Sequence, residues 1–340
     1  MEKEKIILGI ETSCDETSAA VLRGDALLSN IISSQIEIHR RFGGVVPEIA
    51  SRNHLTAVLP VIDEAVSAAG IRLSDIDAIA VTYGAGLVGA LLVGLSAAKA
   101  LSYSLGVPLY AVNHIEAHIA ANYISSPNLK PPFLAVVASG GHTGVVKVSG
   151  YNKFALLGTT SDDAIGEAFD KVARAIGLPY PGGPEIDRRA KQGNPDIEFV
   201  SRKNKNSYAL SYSGLKTAVV SYLHNLSQRG IEPQINDVCA SFQKTAVDML
   251  VDTAALAVKK TGIKTVVLAG GVAANSYLRE RISGFKQMGC EVHFPPMSLC
   301  TDNAAMICAR ARDMIREGLP SAALDLNAVS YLKIETENSL

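Results

Sequence analysis

The chain has 340 residues, 48% of them hydrophobic and 19% charged, with a formal net charge of −1. That length exceeds one simple core and suits two domains, and the composition excludes a disordered chain. The near-zero charge excludes a global basic field, so any nucleic-acid contact must come from a local patch.

The N-terminal "MEKEKIILGIETSCDE" has an apolar run too short for a signal-peptide core. "KIILGIE", "SAAVLRG" and "ALLSNIISSQ" read as three short strands joined by turns. A helix begins near Pro47, a favourable first helical residue. Its apolar stripe is Val58, Leu59, Ile62, Val66 and Ala69, at three-and-four spacing. The uncharged stretch from Ala78 to Ala98 is long enough to imitate a membrane span. The turn at Gly84-Ala85-Gly86 divides it into a strand, "AIAVTY", and a buried helix, "LVGALLVGLSAAKAL". No membrane association is expected. Strand "PLYAVN" and helix "HIEAHIAANYI" follow.

At "PPFLAVVASGGHTGVVKVSG" the pattern restarts: an apolar strand, a turn of small polar residues, a second strand. This weak internal repeat points to two related lobes, each a sheet flanked by helices. If 163–176 is helical, Asp163, Glu167, Asp170, Lys171 and Arg174 share a face, which as a plain solvated face would carry supporting ion pairs. "PYPGGPEID" reads as a rigid loop that could deliver Gly183 and Asp187 to a ligand, where a carboxylate would suit ribose hydroxyls. Residues 191–215 are polar and read as an exposed insertion or a short hairpin. A long helix then ends at Gly262, "KTVVLAGGVAANSYLRERI" reads as strand, glycine turn and helix, and "CTDNAAMICARARDMIREG" is a last helix with Asp302 in its first turn.

Five cysteines (Cys14, Cys239, Cys290, Cys300 and Cys308), an odd number without C-x-x-C spacing, indicate reduced thiols in a cytosol-like compartment. No Walker A motif is present and no G-x-G-x-x-G follows a strand, which disfavours a P-loop NTPase and a dinucleotide oxidoreductase. Gly270 and Gly271 let the backbone approach a ligand at a helix N-terminus, or simply make a tight turn. "VASGGHT" (137–143) and "ETSCDETS" (11–18) suit presentation of backbone N–H groups to a phosphate. Together, in this order, the three turns resemble the phosphate and adenosine loops of the actin-like ATPase superfamily.

"NHIEAHIA" (113–120) places His114 and His118 four apart, roughly 40° apart in helical projection, so both can hold one metal ion. Two ordinary structural or surface histidines are the bland alternative. The zinc-protease signature H-E-x-x-H puts the glutamate next to the first histidine. Here Glu116 lies roughly 180° from the face the histidines share, so it cannot serve a water on that metal. A third donor is needed, and Asp302, in another polar turn at a helix start, is the candidate.

"KALSYSLGVPLYAVNHIEAHI" (99–119) resembles the signature of the TsaD family, once called glycoprotease-like proteins. "GIETSCDETSAAV", "GGVVPEIASRNH", "SGGHT", "GEAFDKVAR", "PGGPEID", "YSGLKTA", "SFQ", "LAGGVAANSYLR" and "CTDNAAMI" resemble the same family, in order, from residue 6 to about 316. Two departures are Ala85, where proline is expected, and Tyr212, where phenylalanine is expected. The resemblance implies a two-lobed actin-like (ASKHA) α/β fold. Residues 1–112 with about 325–340 would form the first lobe, and 113–324, with an insertion at about 191–215, the second. The implied activity is transfer of threonylcarbamoyl from threonylcarbamoyl-AMP to N6 of adenosine 37, in tRNAs reading codons that begin with A. It implies one divalent metal on His114, His118 and Asp302, with iron(II) first and zinc or magnesium as alternatives. Substrate-binding positions would be Val137, Ala138, Ser139, Gly140, Gly141, Asp170, Gly183, Asp187 and Asn275, with an ATP- or AMP-type nucleotide in the cleft. Amides around Ser139-Gly140-Gly141 would meet the oxyanion. Asp15 is the candidate general base. The implied partners are tRNA, a smaller TsaB-like paralogue and a TsaE-like ATPase, in the cytoplasm. Arg40-Arg41 and Arg202, Lys203 and Lys205 are candidate phosphate contacts, with plain solubilising charge as the alternative. The rival readings are a small-molecule kinase of the same fold and a scaffold paralogue without activity.

Overall fold

A computed structural model describes residues 4–199 and 207–334; the basic run Arg202, Lys203 and Lys205 lies outside the described residues. In chain order the first elements are β1 (Ile6–Glu11), β2 (Glu16–Arg23), β3 (Ala26–Ser34), α1 (Ile36–Arg40), α2 (Pro47–Ala68), β4 (Ala78–Gly84), α3 (Val88–Leu105), β5 (Leu109–Asn113) and α4 (His114–Ser125). They are followed by β6 (Phe133–Ala138), β7 (Thr143–Gly150), β8 (Lys153–Thr159), α5 (Ile165–Ala175), α6 (Gly182–Ala190), α7 (Ser213–Gln228) and α8 (Ile235–Thr261). The last are β9 (Thr265–Ala269), α9 (Ser276–Ser283), β10 (Glu291–His293) and α10 (Ala304–Arg316).

The sheets share one topology. The first runs β3-β2-β1-β4-β5, with β1 antiparallel to β2 and parallel to β4. The second, read from its β8 edge, runs β8-β7-β6-β9-β10, with β6 antiparallel to β7 and parallel to β9. The repeat glimpsed in the sequence is therefore a repeated strand order. Its third member in the second half, β8, carries little apolar alternation and was not expected.

Two compact units result. One takes in the chain to Pro131, Ser149–Phe154 and the chain from Pro295; the other is Pro132–Val148 with Ala155–Phe294. The boundary expected after residue 112 falls instead at residue 131, and residues 295–324 join the first unit. The cause is packing: α4 lies against α10, and α10 lies on β1 and β2.

In the first unit both faces of the sheet are covered, so β1 is buried along its length. The period of two sends Ile6, Leu8 and Ile10 to one face, against Val58, Ile62 and Val66 of α2 and Leu95 of α3. Ile7 faces the other way, toward Ala117 of α4 and Ile307 and Cys308 of α10. Gly9 shares that face. A Cβ there would sit 2.6 Å from Cys308 Sγ and 2.7 Å from Ala304 O, so the close seat of α10 requires glycine.

Three expectations change in detail. Leu59 is 65% exposed, and Val61 and Ala65 complete the buried stripe of α2 instead. Leu59 lies about 100° beyond Val58, at the edge of that stripe. "PGGPEID" is not a loop: Gly182–Ala190 is helical, with Pro184 tolerated in the first turn and the helix packed on α5 and α8. α3 is long and apolar enough to cross a membrane, yet it packs on α2 and β4 through Ala90, Leu91, Gly94, Leu95 and Ala98.

Candidate functional site

His114 is the first residue of α4, immediately after β5. Asn113 caps the helix, its side chain accepting from Ile115 N at 2.9 Å. One turn later comes His118. Asp302 stands just before Asn303, the cap of α10, whose side chain accepts from Met306 N at 3.1 Å. It is thus outside the helix rather than in its first turn. Because α4 and α10 pack together, the three residues meet despite their sequence separation. Asp302 Oδ1 lies 3.5 Å from His114 Nε2 and 3.2 Å from His118 Nε2. One ligand atom from each lies within 4.8 Å of the others.

Both imidazoles are buried, and neither nitrogen of His118 has a hydrogen-bond partner. An unpaired buried polar group costs about 1–3 kcal/mol, and a cation would remove that cost. Two imidazoles and one carboxylate with the Asp302 side open suit iron(II), and also zinc. The residues therefore fit the expected divalent metal. Glu116 points to the opposite side of α4, where Arg310 Nε donates to its Oε2 at 2.8 Å.

Glu11 was not singled out by the sequence, and it is central to the geometry. It closes β1 with 0% exposure, at the carboxyl end of a strand, the usual ligand edge of a parallel arrangement. Ser13 N–H donates to its Oε1, Thr82 Oγ1 donates to its Oε2, and His114 Nδ1 lies 3.2 Å from that Oε2. Ser13 Oγ is also 3.2 Å from His114 Nδ1. Burial alone would push the His114 pKa down; the Asp302 and Glu11 carboxylates overturn this and raise it to about 9. Burial conversely pushes Glu11 up, but the His114 charge and hydrogen bond hold it below the ordinary carboxylate value. A glutamate ending an otherwise apolar strand was the available signal.

Asp15 lies in the turn between β1 and β2, 7% exposed, two residues beyond Ser13. The turn is braced. Leu87 N donates to Ser13 O at 2.8 Å, and His54 Nε2 donates to Cys14 O at 2.9 Å. Burial and then the Asp15 and Asp302 charges push the Cys14 thiol well up, so it is no nucleophile.

The substrate positions all belong to the second unit. Val137 and Ala138 are buried in β6, paired with Gly144 and Thr143 of β7, so only their backbone can meet a ligand. Ser139 N–H is committed to His142 O at 2.8 Å, which removes it from the expected oxyanion donors. Gly140 and Gly141 are exposed, and a Cβ on either would meet nothing within 4 Å. Two close approaches define this turn. Gly166, at the start of α5, donates N–H to Ser139 O at 3.2 Å. Gly270, at φ +96°, abuts the Ala138 carbonyl. Asp170 accepts from Gly182 N at 2.7 Å, tying α5 to the start of α6 beside Gly183. Asp187 accepts from Ser276 Oγ at 2.7 Å. Asn275 caps α9 through Leu278 N at 2.9 Å and donates to Gln243 Oε1 at 2.8 Å. Asp170 thus ties the middle of α5 to the start of α6, and Asp187 ties the middle of α6 to the start of α9, which Asn275 caps.

The chain matches the family model described as "TsaD: tRNA N6-adenosine threonylcarbamoyltransferase" over residues 26–309. It is 54% identical to a curated protein of that name from Clostridium perfringens over 336 residues, 97% of this chain and 98% of the relative. A relative of the same name from Clostridium kluyveri is 53% identical over 342 residues, covering 98% of this chain and 99% of the relative. Among solved structures, full-length HypF in its phosphate- and nucleotide-bound form superposes with a TM-score of 0.64 at 19% identity, over 95% of this chain and 48% of HypF, a likeness of fold. Two sheets of one repeated topology, a gathered histidine–histidine–aspartate triad and near-full-length identity agree: the chain belongs to the TsaD family of tRNA N6-adenosine threonylcarbamoyltransferases.

Proposed function

We propose that the chain performs its family's reaction with His114, His118 and Asp302 holding one divalent cation, iron(II) in the first place and zinc or magnesium as alternatives. The observation that carries this is the convergence of two buried imidazoles on Asp302, with neither nitrogen of His118 making a hydrogen bond. The donor is threonylcarbamoyl-AMP and the acceptor is N6 of adenosine 37 in tRNAs reading codons that begin with A. A bound cation supplies Lewis-acid polarisation of the threonylcarbamoyl group.

The chain's own residues do the rest. In the transfer, the N6–carbon bond forms, the carbon–oxygen bond to AMP breaks, and N6 loses a proton. Asp15, in the braced turn of the first unit, is the carboxylate proposed to take that proton. The exposed amides of Gly140 and Gly141 are the donors proposed for the developing oxyanion or the phosphate, without Ser139, whose N–H is spent. Asp170, Asp187 and Asn275 hold the starts of α6 and α9 around the adenosine, and Gly183 keeps the start of α6 open to it. The adenine amine is weakly nucleophilic, so positioning contributes much of the rate. The proposed partners are tRNA, a TsaB-like paralogue and a TsaE-like ATPase, in the cytoplasm.

The test is to mix the protein with threonylcarbamoyl-AMP, unmodified tRNA and partner proteins and to follow the modified nucleoside by mass spectrometry. Product with the wild type and none with His114→Ala is expected. Full activity of His114→Ala would overturn the metal role, and ADP formation on a small acceptor instead would indicate a kinase.

A further inference from the structure

Glu11 makes contacts that neither the family signature nor the triad explains. Its carboxylate is wholly buried and every contact has a direction. Ser13 N–H occupies Oε1, and Thr82 Oγ1 occupies Oε2. Both partners donate, and an ionised carboxylate only accepts. The ring atom facing Oε2 is His114 Nδ1, at 3.2 Å. Ser13 Oγ lies at the same 3.2 Å from Nδ1, and a proton on Nδ1 lets the ring donate to the carboxylate where a lone pair there would oppose it. The other ring nitrogen, Nε2, is the one turned toward Asp302, 3.5 Å away.

We propose that Glu11 is a positioning residue for the metal centre: held by Thr82 and Ser13, it fixes the His114 ring with Nδ1–H toward itself, so that Nε2 is the atom offered to a cation beside Asp302 and His118. Metal-ligating histidines commonly gain orientation and basicity from such a carboxylate on the far nitrogen. Two features make the device rigid. Glu11 ends a central strand paired on both sides, by β2 and by β4. Thr82 comes from β4 itself and is fully buried. His118 has no equivalent partner on its Nδ1, so the two histidines differ: the His114 ring is oriented before any cation arrives, and His118 is completed by it. This inference rests on the metal reading proposed above.

The decisive variant is Glu11→Gln. An amide cannot accept at both ends. With its oxygen toward Ser13 N–H, the NH2 group confronts Nδ1–H and turns His114 to the other tautomer, with Nε2 protonated. With its oxygen toward His114, the NH2 group opposes Ser13 N–H. Zinc affinity, measured by competition titration of the full-length chain, is expected to fall ten- to a hundredfold. Histidine-labelled protein loaded with zinc should show His114 protonated at Nδ1 and ligated at Nε2 by long-range 1H–15N correlation. Thr82→Val, which keeps the carboxylate but frees Oε2, should weaken zinc several-fold with little change in unfolding temperature, and it carries the test if Glu11→Gln does not fold. Wild-type zinc affinity in both variants would overturn the proposal, as would ligation of His114 through Nδ1. His118→Ala is the control for the underlying reading. If it too binds zinc like the wild type, the metal site itself is wrong; if it alone loses zinc, only the role of Glu11 falls.

Discussion

Glu116 and Arg310 form a buried ion pair between α4 and α10, with Arg310 Nε 2.8 Å from Glu116 Oε2 and side-chain exposures of 5% and 10%. Arg310 also donates through Nη1 to Tyr151 O at 3.3 Å and to Asn152 Oδ1, and its guanidinium lies over the Phe154 ring. The middle carboxylate of "HIEAH" is therefore a structural clamp behind the triad, joining the helix that carries His114 and His118 to the helix that follows Asp302. Glu116→Ala should destabilise the protein by about 3 kcal/mol, because it strands a buried guanidinium, while zinc affinity in the folded protein changes little. Urea unfolding and metal titration on one sample check both. A variant stable as the wild type but dead in metal binding would restore a direct role for Glu116.

His118 makes the opposite prediction. Its ring is 1% exposed and neither nitrogen makes a hydrogen bond, while Nε2 lies 3.2 Å from Asp302 Oδ1. Removing a buried polar group that makes no hydrogen bond forfeits little, and the Asp302 carboxylate it faces keeps 21% of its side chain exposed to water. Metal-free His118→Leu should therefore lie within about 1 kcal/mol of the wild type in stability. Metal at a hundred times its dissociation constant should stabilise the wild type by about 2.7 kcal/mol, and this gain should vanish in the variant. Unfolding midpoints with and without zinc, under a chelator control, read the difference. A metal-induced shift that survives in His118→Leu would remove His118 from the ligand set.

Legibility in the sequence followed the range of the interaction. The strands and helices of the first unit are local patterns, so "KIILGIE" and the helix from Pro47 could be read directly. The pairing of His114 with His118 is a spacing on one helix and was equally readable. Asp302 reaches the same point only through the packing of α10 on α4, and only its polar turn hinted at it. Glu11 shows in the sequence only as a glutamate ending an apolar strand, because its meaning is a contact across 103 residues, set by which strand lies beside β1. "PGGPEID" was misread for the converse reason. Its glycines and prolines speak for a loop, but Gly182 N–H bonds Asp170 and the helix is held against α8. Tertiary contact overrides weak local propensity there.

The glycine turn "LAGGVAAN" separates two residues that look alike in sequence. Gly270 has φ +96°, and a Cβ there would sit 2.7 Å from the Ala138 carbonyl carbon. Gly271 has nothing within 4 Å of its Cβ position. Gly270→Ala meets rigid backbone and a disfavoured conformation together, so it should cost about 2 kcal/mol or more. Gly271→Ala should cost less than about 0.5 kcal/mol, as an ordinary open site does. Paired urea unfolding curves decide. Equal behaviour of the two variants would show that the turn relaxes away from β6 and does not depend on that close approach.

The last prediction concerns Glu16, which follows Asp15 in the first turn. Burial, then the neighbouring Asp15 and Asp302 charges, push its carboxyl up to about 10, while Ser34 Oγ donates to it at 3.0 Å. In the folded protein Glu16 thus stays protonated at neutral pH, whereas in the unfolded chain it ionises near its ordinary value of 4.5. Between those values the folded state binds more protons than the unfolded one. The stability it contributes is complete below pH 4.5 and drains away as pH rises toward 10. A full proton of difference corresponds to about 1.4 kcal/mol per pH unit. Glu16→Gln keeps the acceptor for Ser34 and never ionises. Metal-free wild type and variant should therefore converge in stability near pH 5 and separate with rising pH, the glutamine form being the more stable at pH 8. Parallel curves from pH 5 to 8 would mean that Glu16 ionises in the fold as it does in the open chain.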